Sequence, residues 1–171
     1  LLALYCIALQ PLFTNKMNIN ICKLHPAAIV PTYSTEGAAC FDLYAATVDD
    51  YTAIGSIVTR QRPVLIGTGW AFAVPPGWML KIHPRSGLKL NHRIEAFSGV
   101  IDSDYTGEVM VLMESTLDED DGHGQIPPAI IRPGDRVAQA SLVPSPKVTF
   151  NVVEQLSLTE RGDAGFGSTG L

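Results

Sequence analysis

Three observations predict an all-β fold for this chain. Past residue 17 the apolar residues come in short runs broken by Gly, Pro, Asp and Asn. No stretch sustains the 3.6-residue period of a long amphipathic helix. The breaks hold turn signals, Pro75-Pro76-Gly77 and Arg132-Pro133-Gly134-Asp135 among them. Many short strands at such spacing point to a jelly roll or another closed β architecture with at most a short helix.

Taken in order, the candidate strands are residues 18–24, 64–73, 79–84, 107–114, 136–143 and 147–153. A helix of a turn or two is expected around residues 85–91. No internal repeat is visible. Residues 17–160 form the expected β-domain, and residues 161–171 a Gly-rich C-terminal arm. Residues 1–16 differ in character: the first thirteen are mostly apolar and uncharged, too short to span a bilayer, and without the basic start of a secretory signal. They read as an upstream extension or a targeting remnant, with Met17 as the expected start.

At 171 residues the chain is one domain, or one domain plus an extension. A net charge of −5 argues against nonspecific nucleic-acid binding, which needs clustered cations, so an anionic ligand must meet locally placed Lys and Arg. Neither a nucleic acid nor a membrane is an expected partner. Cys6, Cys22 and Cys40 make an odd count with no C-x-x-C spacing, so reduced thiols in a cytoplasmic setting are expected, nuclear or organellar if the source is eukaryotic. The acidic stretch 116–125 lacks the ligand spacing of a calcium loop and reads as a solvated connection.

Five segments concentrate groups that could carry chemistry. In Ala38-Ala39-Cys40-Phe41-Asp42-Leu43-Tyr44 a single carboxylate sits in a run of apolar and small residues, either satisfied by backbone N–H groups or placed near a metal. In Pro84-Arg85-Ser86-Gly87-Leu88 a strand end turns into a helix start, and Arg85, Ser86 and Gly87 could together hold an anion; a serine N-cap beside a surface arginine is the plainer reading. Gly99-Val100-Ile101-Asp102-Ser103-Asp104-Tyr105 offers carboxylates and an aromatic before a strand. There Asp102 could act as a base towards water and Tyr105 could pack on a sugar, or the acids could be turn formers. An extended backbone puts Asp102 and Asp104 on one side and Tyr105 on the other; a hairpin would change that. In Gly134-Asp135-Arg136-Val137-Ala138-Gln139, Gln139 could donate to a phosphate. The last segment runs from Arg161 through Gly165-Phe166-Gly167-Ser168-Thr169-Gly170. Its glycines, hydroxyls, cation and aromatic ring suit closure over a phosphorylated, ring-bearing ligand, and equally a disordered terminus.

In order and spacing these five segments closely resemble the five motifs of the trimeric dUTPase family, over residues 21–170. The resemblance implies a β jelly roll acting as a homotrimer, each active site shared between subunits and closed by a C-terminal arm. It implies dUTP as substrate, hydrolysed to dUMP and pyrophosphate by water attack on the α-phosphorus with Mg²⁺ on the triphosphate, the reaction of a dUTP diphosphatase. That reaction limits uracil in DNA and supplies dUMP for dTMP synthesis. Asp102 would be the catalytic base, and Tyr105 would exclude a 2′-hydroxyl. Backbone groups of Gly99, Val100 and Ile101, described by the resemblance as a hairpin, would read uracil. Arg85, Ser86, Gly87, Gln139, Arg161, Gly167, Ser168 and Thr169 would contact substrate, chiefly its phosphates, Phe166 would stack on the base, and Asp42 would hold Mg²⁺ through water.

Three departures from the family pattern stand out. Ala96 occupies the place of a base-holding asparagine, Ala164 replaces a tail glycine, and the acidic segment 118–121 is longer than the usual turn. Two other readings remain open. A dCTP deaminase-type relative would need an acid where Leu112 stands, and a nucleotide-sensing interaction protein would use the same closure to present a surface.

Overall fold

The computed structural model describes residues 17–48, 56–58, 63–115 and 129–164. The expected extension 1–16, the acidic segment 118–121 and the tail from residue 165 lie outside the described residues. Among the described residues there are thirteen strands and one helix. They are β1 (Ile21–Lys23), β2 (Thr32–Tyr33), β3 (Phe41–Tyr44), β4 (Thr47–Val48), β5 (Ser56–Val58), β6 (Val64–Gly67), β7 (Trp70–Phe72), β8 (Trp78–His83), α1 (Ser86–His92), β9 (Ile94–Ala96), β10 (Gly99–Ile101), β11 (Met110–Ser115), β12 (Ala129–Ile131) and β13 (Arg136–Pro144).

Two antiparallel sheets dominate, one of five strands in the order β10-β8-β13-β3-β2 and one of four in the order β4-β6-β11-β9; β1 pairs with β7 and β12 with β5. Non-consecutive neighbours in each sheet give the jelly-roll-type architecture that the strand spacing predicted. Alternation decides which side chains meet. Leu80 and Ile82 of β8 and Leu43 of β3 point inward from the larger sheet, while Ile66, Val111, Met113 and Ile94 face them from the smaller, all nearly or fully buried. Each such side chain contributes roughly 1.5–3 kcal/mol on removal from water.

The apolar run 64–73 is two strands, not one. Thr68 and Gly69 interrupt it, with Gly69 at φ +73°, where a side chain would be strained. The chain there leaves β6, paired with β11, and enters β7, paired with β1. Residues 147–153 form no strand: they lie beyond β13, exposed, with Phe150 86% and Val152 100% accessible. Their alternation asks for a sheet partner that the described part of this chain does not supply.

Candidate active site

Four of the five motif segments lie largely or wholly among the described residues, and most of their candidate residues gather into two clefts; Asp135 and Arg136 line a neighbouring one of about 380 Å³ that also touches Arg85. The first is built across the outer face of the larger sheet. Asp42 on β3 stands opposite Gln139 on β13, and Gln139 stands opposite His83, the last residue of β8. Strand β8 then runs through Pro84 into α1, which puts Arg85, Ser86 and Gly87 at the rim. Ser34, Ala38, Ala39, Cys40, Asp42, Arg85, Ser86, Gly87 and Gln139 line a cleft of about 360 Å³.

Asp42 is buried at 5% exposure, so its charge must be compensated within the protein. It is not held by backbone N–H groups. Arg85 Nε lies 3.2 Å from Oδ1, and Arg136 donates from a terminal guanidinium nitrogen to Oδ2 at 3.2 Å. The Ser34 hydroxyl donates to Oδ2 at 2.8 Å. A second nitrogen of Arg85 donates to the Arg136 carbonyl at 3.1 Å. Two guanidiniums on one carboxylate leave a local charge of +1, and both are fixed before any ligand arrives.

A β-bulge makes that possible. With strict alternation Arg136 would share the inward face of Ala138 and Ala140. The β13–β3 register instead shifts between Arg136 and Ala138, so Arg136 pairs with Tyr44 and joins the face of Asp42 and Gln139. Gln139 donates from Nε2 to the Pro84 carbonyl at 2.9 Å, tying the start of the Arg85 segment to β13. Ser86 is not the cap of α1. Arg85 occupies that position in extended geometry with no side-chain cap, and Ser86 and Gly87 are the exposed first residues of the helix. Their N–H groups precede any intrahelical acceptor.

The second cleft, about 270 Å³, is lined by Val100, Ile101, Asp102, Tyr105, Glu108 and Met110 and shares no residue with the first. Gly99–Ile101 does not form a hairpin with its predecessor. β9 pairs with β11 in the smaller sheet, whereas β10 is the edge strand of the larger one, on β8. An edge strand has backbone N–H and C=O groups on its outer side that can pair with a planar ligand. The chain turns immediately after it, with the Tyr105 N–H donating to the Asp102 carbonyl at 3.2 Å. This turn, not an extended run, is why Asp102 and Tyr105 share a cleft that Asp104 does not line. Asp102 is exposed, and the Tyr105 hydroxyl donates to the Glu108 carbonyl at 2.9 Å.

Arg161 is the one predicted tail residue among those described. It is exposed, in a turn whose Gly162 has φ +56°, and its Nε donates to the Ala164 carbonyl at 2.9 Å. Ala164 does not need the left-handed region, because Arg93 is the single non-glycine residue with positive φ among the described residues. Phe166, Gly167, Ser168 and Thr169 lie outside them. Ala96 is buried at 3% exposure in the core, so its side chain lines neither cleft. Arg136, Ser34 and Glu108 were not picked out as site residues from the sequence. A lone acid in an apolar run asks for a cation, but it does not say which one.

A magnesium ion suits only part of this donor set. Among the described residues no three His, Cys, Asp or Glu side chains come together. Asp42 is the one carboxylate of the cation-rich cleft, and both its oxygens are engaged. That excludes an all-protein cage there and fits an ion that keeps its waters and takes direct ligands from a substrate's phosphates. No helix among the described residues is long and apolar enough to cross a membrane.

The family model for dUTPase matches residues 27–170. The chain is 38% identical over 157 residues to the deoxyuridine 5′-triphosphate nucleotidohydrolase of Helicobacter hepaticus, covering 91% of this chain and 90% of that protein. Among solved structures it resembles a mutant dUTPase of Staphylococcus bacteriophage 80alpha with dUpNHpp, at TM-score 0.76 and 21% identity over 91% of this chain and all of that one. It also resembles a mutant dUTPase of phage phi11 of S. aureus, described with a structural Mg(II) ion, at TM-score 0.66 and 21% identity over 81% of this chain and 98% of that one.

Proposed function

The chain belongs to the dUTPase family, and from that premise we propose that it hydrolyses dUTP to dUMP and pyrophosphate by dividing the substrate between its two clefts. The observation that carries this reading is their complementary chemistry: one is rimmed by Arg85, the first turn of a helix and Gln139, with Arg136 close behind on the same carboxylate, the other by an exposed carboxylate beside an aromatic ring and a sheet edge. The triphosphate belongs with the cations. Arg85, the Ser86 hydroxyl, the N–H groups of Ser86 and Gly87, and Gln139 would bind phosphate oxygens, with Arg161, Gly167, Ser168 and Thr169 completing the set.

The outer edge of Gly99, Val100 and Ile101 would pair with uracil, Tyr105 would lie beneath the deoxyribose, and Phe166 would cover the base. With Ala96 turned into the core, base reading falls to the edge backbone. Asp102 would take a proton from water as its oxygen forms a bond to the α-phosphorus. The bond from that phosphorus to the bridging oxygen breaks, and pyrophosphate leaves. Bound Mg²⁺ would neutralise charge on the triphosphate. Asp42 would contact its water shell by exchanging one of its present partners, and it also positions Arg85 and Arg136.

A single active site then needs both clefts, which this chain keeps separate, so we assign the working form to a homotrimer whose subunits share sites. The exposed apolar residues after β13 support association, since Val148, Phe150, Val152, Leu156 and Leu158 are 68–100% accessible. A cytoplasmic location is the matching expectation. The deaminase reading is disfavoured because Leu112 of β11 pairs with Leu65, and Glu114 lies further along, opposite Glu95.

The direct test is incubation with Mg²⁺ and each of dUTP, dCTP, dTTP and UTP, with products separated by chromatography. Formation of dUMP and pyrophosphate from dUTP alone is expected; deamination of dCTP would overturn the assignment. Site sharing is tested by mixing Asp102→Asn and Arg85→Ala chains under conditions that exchange subunits. Recovered activity is expected, and none would place both groups in one subunit's site.

A further inference from the structure

We infer that Glu108 is a positioning residue that holds Tyr105 in place and thereby sets the preference for a 2′-deoxy over a 2′-hydroxy substrate; this rests on the reading of Tyr105 as the residue beneath the deoxyribose. The turn that carries Tyr105 is solvent-exposed from Asp102 to Thr106, and Tyr105 itself is 45% accessible. An exposed aromatic on a turn discriminates poorly by shape unless something fixes the ring, because the difference to be sensed is one oxygen atom.

Two contacts fix it. The phenol donates to the Glu108 carbonyl at 2.9 Å, and the ring lies directly against Gly107. A Cβ built on Gly107 would stand 2.5 Å from the phenol oxygen and 2.7 Å from the carbon bearing it. Glycine at 107 is what lets the ring fold back along its own chain.

The anchor that receives the phenol is itself tied to the body of the protein. The Glu108 carboxylate accepts the Gly69 N–H at 2.7 Å in a partly buried position. Gly69 belongs to the turn between β6 and β7. The same oxygen lies only 2.6 Å from where a Gly67 Cβ would be, beside the Thr47 hydroxyl, so the glycine leaves the space that the carboxylate occupies. The next residue is locked as well: the Val109 N–H donates to the Trp70 carbonyl at 2.9 Å, and the Thr68 hydroxyl donates to the Val109 carbonyl at 2.7 Å. Glu108 therefore joins the exposed turn to a rigid crossing between sheets. Its side chain sets the orientation of the carbonyl that holds the phenol.

The test compares the ratio of kcat/KM for dUTP to that for UTP in purified protein carrying Glu108→Ala, Glu108→Gln, Gly107→Ala or Tyr105→Leu, each checked for fold by circular dichroism and for assembly by light scattering. Glu108→Ala is expected to lower the ratio about tenfold, through a raised KM for dUTP and a gain on UTP, with kcat for dUTP changed less than about threefold because Asp102 is untouched. Glu108→Gln, whose amide oxygen can still accept the Gly69 N–H, is expected to recover most of the ratio. A folded Glu108→Ala protein with unchanged ratio overturns the inference, as does a Gln variant no better than the Ala one. Gly107→Ala displaces the ring with Glu108 intact and so tests the placement of the ring alone; should Glu108→Ala fail to fold, Glu108→Asp, whose carboxylate falls one methylene short of the Gly69 N–H, takes its place, and an unchanged ratio there is equally fatal. Tyr105→Leu separates the two levels. An unchanged ratio in that variant removes the reading of Tyr105 itself, whereas a collapsed ratio there beside an unchanged one in Glu108→Ala removes only the role of Glu108.

Discussion

Asp42 and Asp102 are carboxylates assigned to one reaction, yet their surroundings are opposite. Asp42 is 5% exposed and compensated by Arg85, Arg136 and Ser34. Asp102 is exposed, and its side chain has no ion pair or hydrogen bond to another described residue. A base has to keep an open lone pair for the proton it takes, and engaging Asp102 as Asp42 is engaged would remove that capacity. A carboxylate that orders two guanidiniums has to be enclosed, because water would weaken the pairing. Enclosure makes Asp42 structural to its cleft, and exposure leaves Asp102 available for chemistry.

The sharpest way to break this contrast is Asp102→Asn. Turnover of dUTP is expected to fall by roughly 10³-fold while nucleotide binding and thermal stability stay near wild type, since a general base contributes ~10²–10⁴-fold and this one supports no packing. Unchanged turnover in steady-state assays would end its assignment as the base.

Asp42→Ala should do the reverse and damage the fold. Removing the buried carboxylate that pairs with the partly buried Arg85 and the exposed Arg136, and accepts from Ser34, is expected to cost about 2 kcal/mol, read from chemical denaturation. A loss below about 1 kcal/mol would mean the arginines simply swing into water, and the cleft would no longer count as preformed.

Gln139→Ala sharpens the comparison within the first cleft. It frees the Pro84 carbonyl and removes an expected phosphate donor, so KM for dUTP should rise about tenfold with little change in stability. Ser34→Ala is the smallest perturbation, about 1–1.5 kcal/mol for one hydrogen bond to a charged acceptor whose two guanidinium partners remain. A larger loss would show that the hydroxyl, not the arginines, is what keeps Asp42 in place.

Much of the first cleft was legible in the sequence. Asp42 in an apolar run, Arg85 at a strand end and Gln139 on an alternating strand each carried a local signal, and the fold brings all three to one cleft. Arg136 was not legible, because ordinary alternation would bury it and only the bulge turns it outward. In the second cleft the sequence placed Asp102 and Tyr105 in one turn-rich segment but could not say which acid shares a face with the ring. The Tyr105-to-Asp102 backbone hydrogen bond settles that. Glu108 gave no signal, since its partner Gly69 is 39 residues away.

Local rules determined the class of fold, a short helix expected around residues 85–91 and found at Ser86–His92, and most of the long strands, because turn residues and period-two alternation act within a few positions. They also proposed a strand at residues 147–153 that finds no partner within the described chain, for a strand's pattern states what it needs and not who supplies it. Order within each sheet, the bulge in β13, the edge position of β10 and the division of the motifs into two clefts belong to the tertiary structure. Each depends on pairing between residues far apart in sequence, and no local period or turn signal records which distant strand will be the neighbour.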